Sequence, residues 1–238
     1  MQIEVFDLGL VDFARTWQFQ KELLKGVKVG YLDAALIFCQ HYPVITLGRL
    51  ADKKNILVSE EELAGKGIEK YEIERGGDVT YHGPGQLMFY PILNLNYFKK
   101  DINLYLRQLE ELPIELLSDF KIRAIRKPGF TGVWIDKQKI ASVGVAIKNW
   151  ITLHGISLNV KKDDLENFSL IRPCGLEIQM TSLETVLGKE VQIDYLKAGL
   201  LQEFRRIFNI AEPLVPKALQ KRRGLDDESS LTRIRRRD

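Results

Sequence analysis

The sequence predicts a single domain of mixed α/β class. Three observations point there. Short runs of strand-forming residues alternate with helical patterns along the chain. Two apolar runs joined by a polar turn, then a third long run, mark a block of sheet between positions 131 and 160. No internal repeat or flexible linker divides the body, and 238 residues with 45% hydrophobic side chains can fill a sizeable core.

In order, Ile3 to Asp7 alternates as a strand, and Leu10 to Leu24 places Leu10, Ala14, Trp17 and Leu24 near helical spacing. Ala34 to Cys39 and Val44 to Leu47 are short apolar runs either side of Gln40-His41-Tyr42-Pro43, which suits a hairpin or a bent strand. Cys39 reads as packing, and His41 as a turn residue or a functional one. Around Asn55 to Lys70, Ser59 followed by three acidic residues predicts the start of a short helix. Asp101 to Phe120 gives the clearest helix, with Asp101 as N-cap and Pro113 expected to kink or split it. Thr131 to Asp136 and Lys139 to Ile147 read as a hairpin, and Trp150 to Val160 as a third strand. Ser182 caps a short helix, and Asp194 is expected to cap a longer one from Tyr195 to Phe208.

The chain carries a net charge of +3, but eight basic and four acidic residues from Lys217 onward leave the rest near −1. That excludes the broad basic footprint of a nucleic-acid-binding domain. Only two cysteines are present, no apolar run reaches membrane-spanning length, and no leader pattern opens the chain, so a soluble, cytoplasmic setting is expected. The three histidines show no close ligand spacing, so no metal site is expected.

Chemistry concentrates in four places. Arg75 to Gln86 packs four glycines, a proline, an arginine and a histidine between two apolar runs, a composition that suits bare backbone facing a ligand as well as a bulged turn. Lys139 shares strand parity with Ala141, Val143, Val145 and Ile147; it either snorkels to water or holds its ammonium near a partly buried anion. His154 lies inside the third strand on the parity of Thr152, Ile156 and Leu158, as a structural or a functional residue. Cys174, fixed between Pro173 and Gly175 in an aperiodic stretch, sits where a sulfur can be exposed and reads as a nucleophile. A free thiol is only a few per cent ionised at pH 7, so a neighbouring cation such as Lys139 would activate it.

These segments together closely resemble the lipoyl(octanoyl) transferase family. The resemblance rests on Arg75 to Gln86 (RGGDVTYHGPGQ), Lys139 to Gly144 (KIASVG), Trp150 to Val160 (WITLHGISLNV), Pro173-Cys174-Gly175 and His41 to Arg49 (HYPVITLGR), and runs from about Val5 to Phe208. It implies a single domain of the biotin/lipoate protein ligase catalytic type, mixed sheets flanked by helices, over residues 1–213; the stretch over 214–238 lies outside the resemblance and, charged and without an apolar face, reads as a flexible tail. It implies transfer of an octanoyl group from octanoyl-acyl carrier protein to a lysine of lipoyl domains, those of the 2-oxoacid dehydrogenase complexes and the glycine cleavage H protein. No cofactor is implied, neither ATP nor metal. By resemblance Cys174 carries the acyl thioester and Lys139 lowers its pKa. Acyl contacts fall to Arg75, Gly76, Gly77, Asp78, Val79, Thr80, Tyr81 and His82, to Ser142, Val143 and Gly144, and to His154, Gly155, Ile156 and Ser157, with the loop's glycines set against the aliphatic chain. Two rivals stand beside this reading: an ATP-dependent lipoate ligase on the same fold, and a non-catalytic module that binds lipoyl domains or acyl carriers.

Overall fold

Nine strands and five helices account for the regular structure of a computed structural model that describes residues 3–173 and 178–211. Six strands form one sheet in the order β1 (Ile3–Val11), β2 (Ala34–His41), β6 (Gln86–Leu93), β9 (Ile151–Asn159), β8 (Gln138–Lys148) and β7 (Val133–Ile135). The β1–β2 pair is parallel and the remaining pairs are antiparallel. Three further strands form a second sheet, β4 (Glu69–Glu72), β3 (Val44–Leu47) and β5 (Val79–His82).

The central strands β2, β6 and β9 are apolar on both alternating sets because both faces of the large sheet are covered. Leu36, Phe38, Leu87, Phe89, Ile156 and Leu158 pack under α3 (Ile102–Asp119) and α5 (Ile193–Ile207). Ile37, Cys39, Met88, Tyr90, Ile92 and Leu153 face the other way, toward α1 (Phe13–Lys28). None of the described helices is long and apolar enough to cross a membrane.

Four local expectations change. The apolar runs either side of Tyr42-Pro43 form no hairpin: β2 belongs to the large sheet and β3 to the small one, so the Pro43 step carries the chain from one sheet to the other. Helix α3 runs unbroken through Pro113. A proline inside a helix costs ~3 kcal/mol, but Leu109, Leu112, Leu116 and Leu117 are all buried here, and each such side chain returns about 1.5–3 kcal/mol. Helix α5 begins at Ile193 with Gln192 in the cap position, because Ile193 is drawn into the core; Asp194 sits in the first turn and pairs with Lys197 at 2.6 Å. The first strand runs on to Val11, so Leu10, expected on the helix, lies in β1. The middle of the glycine-rich stretch is strand β5, paired with β3 through Thr46↔Thr80 and Val44↔His82. The caps expected from Ser59, Asp101 and Ser182 are present, each side chain accepting a backbone N–H three residues on: for Ser182 this opens α4 (Leu183–Leu187), and for Ser59 α2 (Glu60–Gly65).

A proline in a central strand needs its own account, since Pro91 has no N–H for the ladder. β6 pairs with β9 only from Gln86 to Phe89. Beyond that, the Thr152 hydroxyl fills the gap, donating to the Pro91 carbonyl at 2.7 Å and accepting the Leu93 N–H at 2.9 Å. The departure is made at His154, whose φ of +60° breaks the strand's alternation. Its N–H goes instead to Gln20 Oε1 on α1, 2.8 Å away.

Candidate active site

A cavity of about 560 Å³ is enclosed by strands β8 and β9 of the large sheet and the segment that runs from Ile73 into β5, with Ile102 and Leu106 of α3 also on its lining. Its sheet wall is short of side chains. Ser142 and Gly144 of β8 stand opposite Ser157 and Gly155 of β9, while Met88 and Tyr90 of β6 continue the same face. Gly155 is required on packing grounds, because a Cβ there would collide with the Phe89 carbonyl oxygen and lie 2.9 Å from Pro91 Cδ. At Gly144 a Cβ would press on Arg75 Cδ at 3.1 Å, with the Gly76 carbonyl oxygen at ordinary contact distance, 3.7 Å. Both glycines line the cavity, where they contribute backbone alone.

The opposite wall is built by Arg75 to Thr80 and His82. Arg75 is buried at 7% exposure, and its guanidinium donates to the Thr46 carbonyl at 2.6 Å, the Thr46 hydroxyl at 3.0 Å and the Gly76 carbonyl at 3.0 Å. Asp78 folds the loop, accepting from Val79 N at 2.8 Å and from the Asn55 side chain at 2.6 Å. Gly77, at φ +84°, makes the turn that a side chain would resist.

Lys139 marks one end of the cavity. It is 6% exposed, with Nζ 5.0 Å from the Trp134 ring centroid. Its backbone is bonded to the segment beyond position 177, giving its N–H to Gln179 at 2.8 Å and accepting from Thr181 at 2.9 Å. Pro173 and Ile178 line the cavity with it. Cys174, the expected nucleophile, lies outside the described residues, as do the expected tail over 214–238 and the first two residues of the chain.

The far end holds the histidines. His154 pairs with Val145, six positions along β8 from Lys139, which is ~20 Å of strand. His41 and His154 both pack on Tyr90, and His82 stands beside His41. His41 is fully buried at the end of β2, and burial holds its pKa down to about 4. Burial, with His41 close by, holds His82 down to about 3, and its Nδ1–H donates to Gln86 Oε1 at 3.0 Å. His154 is also pushed down by burial, against an opposing pull from Glu74. Burial resists the charge on Glu74, but His154, a backbone N–H and the Trp17 indole hold its pKa down to about 2. Because His154 is itself largely neutral at pH 7, the firm partner of Glu74 is the indole N–H, 3.0 Å from Oε2; His154 Nε2 stands 3.7 Å away, without a hydrogen-bond partner.

Among the described residues, the positions expected from sequence line one cavity, with one exception. Lys139, Arg75 to Thr80, His82, Ser142 to Gly144 and His154 to Ser157 all line the cavity. Tyr81 does not, since alternation along β5 turns it away from Thr80 and His82. Its ring packs on Phe168 at 5.5 Å and its hydroxyl donates to Asp164 at 2.9 Å. Asp164 also explains two glycines expected to meet an acyl chain: a Cβ on Gly83 would strike its carboxylate and one on Gly85 would lie 2.6 Å from its Cβ. Those glycines let the β5–β6 turn close on Asp164.

Sequence reasoning passed over Phe13, Met88 and Tyr90, which line the cavity from ordinary helix and strand positions, and Ile73, which lines it from just beyond β4. It also passed over Glu110, a fully buried carboxylate in α3. The signal for Glu110 was legible: it falls one turn from both Leu106 and Pro113, amid the leucines of the helix's apolar stripe.

Comparison with known proteins agrees with this architecture. The model of the lipoyl protein ligase A/B catalytic domain matches residues 12–205. An octanoyltransferase of Christiangramia forsetii is 41% identical over 226 residues, covering 87% of this chain and 96% of that protein. One of Thermoanaerobacter sp. is 43% identical over 209 residues, covering 87% and 90%. Among solved structures, a lipoate-protein ligase A bound with ATP superposes with a TM-score of 0.76 at 17% identity, covering 98% of this chain and 94% of that one; at that identity the likeness speaks for the fold. With matches of this extent, the chain belongs to the lipoyl protein ligase A/B catalytic domain family and, within it, to the octanoyltransferases.

Proposed function

We propose that this protein transfers an octanoyl group from an acyl thioester of acyl carrier protein to a lysine of a lipoyl domain, with Cys174 as the transient acyl carrier. The observation that carries this reading is Lys139, a buried ammonium at the end of a cavity whose sheet wall is bare backbone at Gly144 and Gly155. Pro173, the residue before Cys174, lines the same end, which supports a thiolate next to that cation.

In the first step the Cys174 thiolate attacks the thioester carbonyl. Its carbon–sulfur bond forms as the bond to the carrier sulfur breaks, and the carrier leaves as a thiolate that takes a proton from water. In the second step the neutral amine of the acceptor lysine attacks the acyl-cysteine. An amide forms, the bond to Cys174 breaks, and the proton lost from nitrogen ends on sulfur. Both steps exchange one thioester for a bond of equal or lower energy, so no nucleotide is consumed.

A saturated chain needs no polar partner, and the bare pair at Gly144 and Gly155 lets it lie against backbone. We assign its thioester end to Lys139 and its methyl end to the wall made by Tyr90, His154 and Phe13. The catalytic domain in this reading covers residues 1–213, the acceptors are lipoyl domains of the 2-oxoacid dehydrogenase complexes and the glycine cleavage H protein, and the setting is cytoplasmic. The test is transfer to a purified lipoyl domain in the absence of ATP. Octanoyl-carrier should suffice as donor. Modification that requires ATP and free octanoate would favour a ligase, and no modification under either condition would favour a binding module.

A further inference from the structure

Glu110 is the charged residue in the stripe of α3 that faces the protein interior, and it is fully buried. Its carboxylate is saturated with donors: Arg107 Nη1 at 2.6 Å, Arg126 Nε at 3.2 Å and the backbone N–H of Gly132 at 2.8 Å. Arg126 also reaches Glu111 and the Arg107 carbonyl. Two carboxylates and two guanidiniums therefore close a neutral cluster, whose direct field at a distance is small.

What the cluster holds is the segment from Arg126 to Gly132. That segment contributes Gly129, Phe130 and Thr131 to the cavity wall. Its last residue presses on Lys139. Gly132 has a φ of +129°, and a Cβ placed there would lie 2.5 Å from Lys139 Cε, 3.1 Å from Lys139 Nζ and 2.7 Å from the Ala141 carbonyl oxygen. The lysine chain thus occupies the space that glycine leaves open, between Gly132 and the Trp134 ring.

We propose that Glu110 is a positioning residue for Lys139: by fixing the Gly132 amide, it sets the wall against which the ammonium arm is aimed along the cavity. This rests on the assignment of Lys139 as the cation that activates Cys174. A long lysine chain has many rotamers, and a bound backbone amide on one side with an indole on the other removes most of them. The cluster spans α3 and the connection to β7, so a helix whose Ile102 and Leu106 line the cavity also reaches its reactive end, through the hydrogen bond from Gly132.

The test measures the pH dependence of Cys174 alkylation by iodoacetamide, followed by mass spectrometry so that buried Cys39 is scored separately. Wild type, Lys139→Ala, Glu110→Gln and Gly132→Ala are compared, together with Glu110→Gln combined with Lys139→Ala. Lys139→Ala is expected to raise the thiol midpoint. Glu110→Gln and Gly132→Ala should each raise it by about one unit, a tenfold loss of reactive thiolate below the midpoint. In the Lys139→Ala background Glu110→Gln should add nothing, which a general loosening of the fold would not reproduce. An unshifted Lys139→Ala profile would defeat the assignment of Lys139 itself. A shifted Lys139→Ala profile with unshifted Glu110→Gln and Gly132→Ala profiles would overturn the positioning role. So would a Glu110→Gln effect that persists undiminished without Lys139. Should Glu110→Gln fail to fold, Gly132→Ala, which keeps the carboxylate cluster, decides the question.

Discussion

The hydroxyl of Tyr90 lies 2.9 Å from Nε2 of His41, and Nδ1 of the same ring lies 3.0 Å from the Val11 carbonyl oxygen. A carbonyl only accepts, so Nδ1 carries the proton and Nε2 accepts from the tyrosine. Tyr90 is thereby clamped across the strands and makes a rigid wall at the end of the cavity remote from Lys139. Replacing it by Leu shortens that wall. With acyl carriers bearing octanoyl, decanoyl and dodecanoyl groups in competition, Tyr90→Leu should shift the kcat/KM ratio toward the longer chains by tenfold or more, the scale on which an apolar pocket discriminates methylenes. An unchanged ratio would show that the chain does not end at Tyr90.

The buried histidines give stability a pH dependence whose sign is fixed. His41 and His82 are held at about 4 and about 3, below the ordinary 6.5, so the unfolded chain takes up protons first as pH falls. Their contribution is complete above pH 6.5 and is lost on acidification toward 4, at a slope of about 1.4 kcal/mol per pH unit for each histidine. Urea unfolding at pH 7, 6 and 5 should show wild type losing stability more steeply than His41→Gln, whatever their difference at pH 7. Parallel slopes would mean that His41 takes up its proton as readily in the folded protein as in the unfolded chain.

The facing glycines of β8 and β9 should respond differently to the same methyl group. Gly155→Ala meets backbone at Phe89 and the ring of Pro91, neither of which can give way without moving β6. A loss of about 1–3 kcal/mol in unfolding free energy is expected, the usual scale of overpacking. Gly144→Ala presses on the Arg75 side chain and meets backbone, at Gly76, only at ordinary contact distance, so melting temperature should hold while KM for octanoyl-carrier rises. Equal destabilisation of the two variants would contradict the assignment of Gly155 to strand packing and Gly144 to the cavity.

The part of this architecture visible in the sequence follows physical period. Helix α3 announced itself by its leucines and by Asp101, β6 by its unbroken apolar run, and the site by residues whose composition no core requires. The rest was hidden because it depends on contacts between distant segments. Alternation placed His154 with Thr152 and Ile156, but a positive φ at one residue, satisfied by Gln20 from α1, sets it apart. Gly83 and Gly85 looked like ligand contacts because nothing local revealed Asp164, some eighty residues later, as their partner. Pro113 looked disruptive because burial of the surrounding leucines is not visible in a local window. Tyr90 carried no signal at all, being one aromatic residue in an apolar strand.

The central claim is that Cys174 holds the octanoyl group between donor and acceptor. Its most direct test is the intact mass of the protein after incubation with octanoyl-acyl carrier protein and no acceptor. Wild type should gain one octanoyl group, located at Cys174 by peptide mapping and discharged when a lipoyl domain is added, while Cys174→Ser gains no discharging thioester. Transfer to the lipoyl domain by Cys174→Ala at the wild-type rate, with no octanoyl adduct on wild-type or variant enzyme, would contradict it.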